Sequence, residues 1–186
     1  MVISAGAEQA AKKIKMVIFD VDGVLTDGQI YMGPSGEIAK SFSARDGMGI
    51  TLLHKAGLQS AIITGRESQI VARRAAELKI SSVSQGCADK RKAYGELKQK
   101  YDLKDEEIAY VGDDLNDLPL IITAGLGCGV GDAIPEIKKY AMLVAESHGG
   151  TGAVREIIEY ILKKQGKWKA LVESFMASHP VDNIGQ

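Results

Sequence analysis

The chain has 186 residues and a mass of 19.9 kDa, with 45% hydrophobic and 25% charged residues, which excludes a disordered or collagen-like polypeptide and predicts one ordinary domain. Lys and Arg number 23 against 24 Asp and Glu, a formal charge of −1, so no global basic field attracts nucleic acid or a membrane surface. Two cysteines, Cys87 and Cys128, form no disulfide framework and suit a reducing cytosol.

Residues 1–15 lack a signal-peptide core and are read as an N-terminal extension. Met16 to Phe19 reads as a buried strand, followed at once by Asp20. Two β-prone runs around Gly33-Pro34-Ser35-Gly36 then predict a hairpin at about 28–42. Apolar residues at helical spacing follow at Ile50, Leu52, Leu53 and Ala56. Ser60 to Ile63 is a second strand, ending at Thr64-Gly65-Arg66. A helix through Ile70, Val71, Ala75 and Leu78, a weaker strand Ser81 to Ser84, and a helix through Ala93, Leu97 and Tyr101 come next. Ile108 to Val111 is a fourth strand, closed by Gly112-Asp113-Asp114. The longest uncharged apolar stretch, Leu118 to Val130, carries Pro119 and falls short of the ~18 residues a membrane span needs. Leu126 to Val130 and Ala141 to Val144 are further strands, and a last helical pattern runs through Ile157, Ile158, Ile161 and Leu162. After Gly166, Trp168 to Met176 is helix-like and the chain ends in a polar segment around His179-Pro180.

Strand–helix alternation predicts an α/β fold: a doubly wound, mainly parallel sheet over 16–166, with the hairpin as its one insert and 167–186 as a C-terminal helix and tail. In such sheets ligands sit beyond the carboxyl ends of the strands. Those ends carry Asp20 and Asp22, Thr64, then Asp89-Lys90 at a helix start, then Asp113, Asp114 and Asp117. Carboxylates so crowded repel one another unless a cation lies among them, and oxygen donors suit Mg²⁺ with a phosphate. Asp20, first after its strand, suits a nucleophile at phosphorus. Asp22 suits the acid and base, and Lys90 and Thr64 suit the phosphate oxygens. Asp117 suits an orienting group for Lys90 or for a metal-bound water, or a local helix charge, and Asp114 a helix cap.

DVDGV, ITG, the lysine and GDDLND together resemble the four motifs of the haloacid-dehalogenase superfamily, whose fold is Rossmann-like. FDVDGVLTDGQIYM, SARDGMGI, ITGR, QGCADK, YVGDDLNDLP and GGTGAVREI resemble the family of 3-deoxy-D-manno-octulosonate 8-phosphate phosphatases almost end to end. That resemblance implies a magnesium-dependent phosphatase of lipopolysaccharide biosynthesis, without a large cap domain, acting through an aspartyl phosphate. It implies a homotetramer whose neighbouring subunits close each site. It also implies magnesium contacts at Asp20, Asp22 (through its carbonyl) and Asp113, and phosphate contacts at Thr64 and Lys90. Backbone N–H groups around Val21 to Gly23 and at Gly65 suit the phosphate oxygens independently of it. Ser43, Ala44, Arg45, Asp46, Gly47, Arg66 and Arg74 match substrate-side positions. The runner-up substrate is a nine-carbon keto-deoxy sugar acid phosphate, disfavoured because its enzymes tend to carry glutamate where this chain has Arg66. From another class comes a phosphorylation-switched signalling or regulatory domain, opposed by Asp20 and Asp22 lying after the first strand.

Overall fold

The computed structural model describes residues 1–177; the expected polar end around His179-Pro180 lies outside them. Its centre is β2 (Met16–Phe19), with every residue buried. β5 (Gln59–Ile63) and β7 (Ile108–Gly112) flank it, both parallel to it. Phe19 stands level with Ile62 on one side and Val111 on the other. That register carries the ends of three strands to one line, and strand order reverses there.

β6 (Ser82–Ser84) extends the sheet beyond β5. On the other side come β8 (Leu126–Gly129) and β9 (Leu143–Val144), both parallel. The outermost strand is β1 (Val2–Ile3), antiparallel to β9, so the order is β1-β9-β8-β7-β2-β5-β6. Val2 and Ile3, within the stretch read from sequence as an extension, thus pair with the edge of the sheet. α1 (Ala7–Lys13) also buries Ala7 and Ala11 in the core.

One group of helices comprises α1, α2 (Ala44–Lys55), α7 (Ala153–Lys164) and α8 (Trp168–Ala177), with α7 packed on the other three. A second comprises α4 (Lys90–Tyr101), α5 (Leu118–Thr123) and α6 (Pro135–Tyr140), with α5 between its neighbours. Both groups touch β5 and β8, which places them on opposite faces of the sheet. α3 (Gln69–Glu77) joins β5 to β6, and a 3-10 turn at Asp105–Glu107 precedes β7. α5 and α6 are too short for a periodic apolar pattern, and each has a proline in its first turn, where a missing N–H costs nothing.

β3 (Tyr31–Gly33) and β4 (Gly36–Ala39) form the expected antiparallel hairpin as a separate two-stranded sheet. Its outer side chains are open, Met32 at 60% and Ile38 at 62% exposure. Trp168 anchors α8, its ring 5.3 Å from both Arg155 and Lys163. Both cysteines are free, and among the described residues no helix is long and apolar enough to cross a membrane.

Candidate active site

Asp20 leaves the end of β2, its N–H donating to the carbonyl of Val111 at 3.0 Å. Thr64 follows β5, tied by its N–H to the carbonyl of Ser84 at 2.9 Å. Asp113 follows β7. Lys90 opens α4 behind the N-cap Asp89, whose carboxylate accepts from the N–H of Arg91. Four chain segments thereby deliver three oxygen-bearing side chains and one ammonium to the same edge.

Lys90 is buried, and its Nζ lies 2.9 Å from Oδ1 of Asp20 and 2.6 Å from Oδ1 of Asp117. Burial works against its charge, but the two carboxylates outweigh that and raise its pKa. Asp117 has 0% exposure. Its Oδ1 also accepts from the hydroxyl of Tyr110 at 2.6 Å, and its Oδ2 from the N–H groups of Asp113 and Asp114 at 3.0 and 3.4 Å. Asp117 thereby ties Lys90 to Tyr110 and to the turn after β7. Asp114 is exposed; its Oδ1 accepts from the N–H of Leu115, and α5 begins later, at Leu118.

Oxygens of Asp20, Asp113 and Asp117 come within 4.8 Å of one another. Burial and the charge of Asp117 push Asp20 up to about 6, although Lys90 pulls it back. Burial, then Asp117 and Asp20, push Asp113 up to about 8. Oδ1 of Asp113 is buried without a hydrogen-bond partner. Crowded carboxylates and an orphaned oxygen fit a hard divalent cation, held by Asp20 and Asp113 because Asp117 is already engaged. Gly23 makes room: with φ of +91° it adopts a conformation other residues resist, and a Cβ there would strike the Asp113 carboxylate.

Asp22 differs from its neighbour. Its carboxylate turns to Lys40 and, at 3.7 Å, to Nε of Arg66, outside the three-carboxylate cluster. Gly65 and Arg66 are exposed in the turn after Thr64. Ser43 caps α2, accepting from the N–H of Asp46 at 3.3 Å, and exposed Ala44 and Arg45 begin that helix. Arg45 lies against Gly152.

Asp46, expected on the substrate side, has its carboxylate engaged within the fold. It is buried and accepts from the N–H groups of Gly152 at 3.1 Å and Arg155 at 2.8 Å, so it caps α7 from across the fold. Arg74 packs against Gly47, pairs with Glu77 at 2.9 Å and lies over Phe42 at 5.8 Å. Tyr110, Lys40 and Glu37 escaped the sequence reading. Tyr110 had a signal, since a phenol inside a strand buried on both faces needs a partner.

Residues 79–158 match the model of the haloacid dehalogenase-like hydrolase family. The 3-deoxy-D-manno-octulosonate 8-phosphate phosphatase KdsC of Escherichia coli (strain K12) is 44% identical over 165 residues, 89% of this chain and 88% of its own. The chain belongs to the 3-deoxy-D-manno-octulosonate 8-phosphate phosphatase family of haloacid dehalogenase-like hydrolases. The Moraxella catarrhalis member, solved with magnesium ion, phosphate ion and KDO, matches at 41% identity and a TM-score of 0.88, covering 91% of this chain and 97% of that one. The cobalt-bound Haemophilus influenzae member matches at 41% and 0.87, covering 90% and 99%. Family membership agrees with the fold expected from the strand–helix alternation and with the resemblance carried by the motifs.

Proposed function

We propose that this chain is a magnesium-dependent phosphatase that converts 3-deoxy-D-manno-octulosonate 8-phosphate to 3-deoxy-D-manno-octulosonate and phosphate, in the cytoplasm, within lipopolysaccharide biosynthesis. The observation that carries the reading is the Asp20–Lys90–Asp113 arrangement at the strand ends, in a chain with relatives of that activity.

The carboxylate of Asp20 attacks phosphorus, the bond from phosphorus to the sugar oxygen breaks, and Asp22 gives that oxygen its proton. Asp22 then takes a proton from the water that attacks the aspartyl phosphate, returning Asp20 and releasing phosphate. Thr64, Gly65 and Lys90 hold the non-bridging oxygens, and Asp117 with Tyr110 keeps Lys90 aimed. When bound to Asp20, Asp113 and the Asp22 carbonyl, Mg²⁺ neutralises the charge that phosphate and carboxylates would otherwise oppose. Arg66, Arg45, Ser43 and Ala44 face the sugar acid, with the guanidinium groups suited to its carboxylate. Arg74, packed against Gly47 and over Phe42, supports that side.

A phosphate-release screen over sugar phosphates, with and without Mg²⁺, tests the reading. The eight-carbon keto-deoxy acid phosphate is expected to give the highest kcat/KM, and only with the metal. Preference for the nine-carbon homologue would overturn the substrate assignment, and a single stoichiometric label on the protein would favour a signalling domain.

The chain assembles as a homotetramer through the hairpin. Ile30, Tyr31, Met32 and Ile38 are all exposed there, an apolar surface that a neighbouring subunit covers while closing the site.

A further inference from the structure

Lys40 follows β4, and its side chain has 0% exposure. Its Nζ pairs with Oδ1 of Asp22 and, at 2.9 Å, with Oε1 of Glu37. The other oxygen of Glu37 accepts from the hydroxyl of Ser68. Ser68 is itself fixed twice, as the N-cap of α3, accepting from Val71, and through its N–H to Oε1 of Gln85 at 2.8 Å. An unbroken polar chain thus runs from the start of α3 through the hairpin to Asp22. A buried ammonium is stable only with its partners in place, so Lys40 and both carboxylates hold one another in a single geometry.

We propose that Lys40 is the positioning residue for Asp22: it anchors Oδ1 so that Oδ2, which has only the more distant Nε of exposed Arg66 at 3.7 Å beside it, is presented to the leaving sugar oxygen. Glu37 and Ser68 brace Lys40 from the far side. The hairpin is then part of the proton-transfer apparatus as well as an assembly surface. The inference rests on the reading of Asp22 as acid and base.

First-turnover release of the leaving group from two substrates separates the alternatives. The sugar phosphate has a poor leaving group and needs the Asp22 proton, whereas 4-nitrophenyl phosphate has a good one and needs it little; hydrolysis of the aspartyl phosphate, which needs Asp22 as base with either substrate, follows that step and does not enter the comparison. Lys40→Met should lower the rate of leaving-group release by about 10- to 100-fold with the sugar phosphate and by less than about threefold with the aryl phosphate, with half-saturation little changed. Lys40→Arg should restore part of the loss. The double variant Lys40→Met/Glu37→Gln removes one charge of each sign, guards against misfolding, and should give the same split, with thermal unfolding followed in parallel. Equal losses of leaving-group release with both substrates would make Lys40 merely structural, and a rise in half-saturating substrate alone would make it a substrate contact; either overturns the proposal. Asp22→Asn serves as the reference. A split there without one at Lys40 removes Lys40 and leaves the reading of Asp22, whereas no split at Asp22→Asn removes both.

Discussion

Three carboxylates and one ammonium share the strand-end edge, and the consequence is clearest at Asp113. Its pKa rises from the ordinary 3.8 to about 8, chiefly through burial and then through Asp117 and Asp20. Between those values the folded chain, without metal, holds a proton that the unfolded chain has released, so stability falls as pH rises through that window. Asp20, raised to about 6, adds to the same slope. Thermal unfolding in EDTA should therefore show Tm falling from pH 5 to pH 8, with a shallower slope and a higher Tm at pH 8 for Asp113→Asn. An identical slope in that variant would remove the carboxylate repulsion. At Arg66 the expectation concerns selectivity. Arg66→Glu reverses the charge offered to the sugar carboxylate, so kcat/KM should fall by at least about 100-fold on the sugar acid phosphate and far less on an aryl phosphate. Equal losses would move Arg66 to the phosphate or to the framework. Asp20, Thr64, Lys90 and Asp113 were legible in the sequence because each directly follows a strand or opens a helix. Lys40 was not, since its partner Asp22 lies 18 residues away across a hairpin whose orientation no local pattern sets.

The elements repeat that division. β2, β5 and β7 announce themselves as continuous apolar runs because both of their faces are covered. β1 has two residues with exposed side chains, and its strand character comes from pairing with β9 at the far end of the chain. α7 shows a tertiary effect of the same kind. Its N-cap is Gly152, which has no side chain, and Asp46 of α2 supplies the missing acceptor. Asp46→Ala should cost about 2 kcal/mol, the upper range for a lost cap. For a chain of this length that lowers Tm by about 4–8 °C. An unchanged Tm would mean that the α7 terminus finds other partners. The motif around Asp46 could be read as substrate-facing, because sequence does not tell a carboxylate aimed at a ligand from one aimed at a helix.

At the scale of the molecule, the hairpin is a thin insert that leaves Met32 and Ile38 more than half exposed. A two-stranded hairpin is marginal in water by itself, and Lys40 and Glu37 tie its inner side to the domain without covering its outer side. Sedimentation at micromolar concentration should find a tetramer, and Met32→Glu combined with Ile38→Glu should dissociate it. A fully active monomer of the 19.9 kDa chain would contradict both the assembly and shared closure of the site.

Catalysis rests on Asp20 as the nucleophile, and steady-state phosphate release from 3-deoxy-D-manno-octulosonate 8-phosphate by the Asp20→Asn variant measures that role. The amide keeps the shape of Asp20 and relieves carboxylate crowding, so the variant should fold and unfold at a Tm no lower than the parent without metal. Its turnover with Mg²⁺ should fall by at least about 1,000-fold. The parent in excess EDTA should be equally silent while remaining folded. Parent-like phosphate release by a clean Asp20→Asn preparation would contradict covalent catalysis at this aspartate.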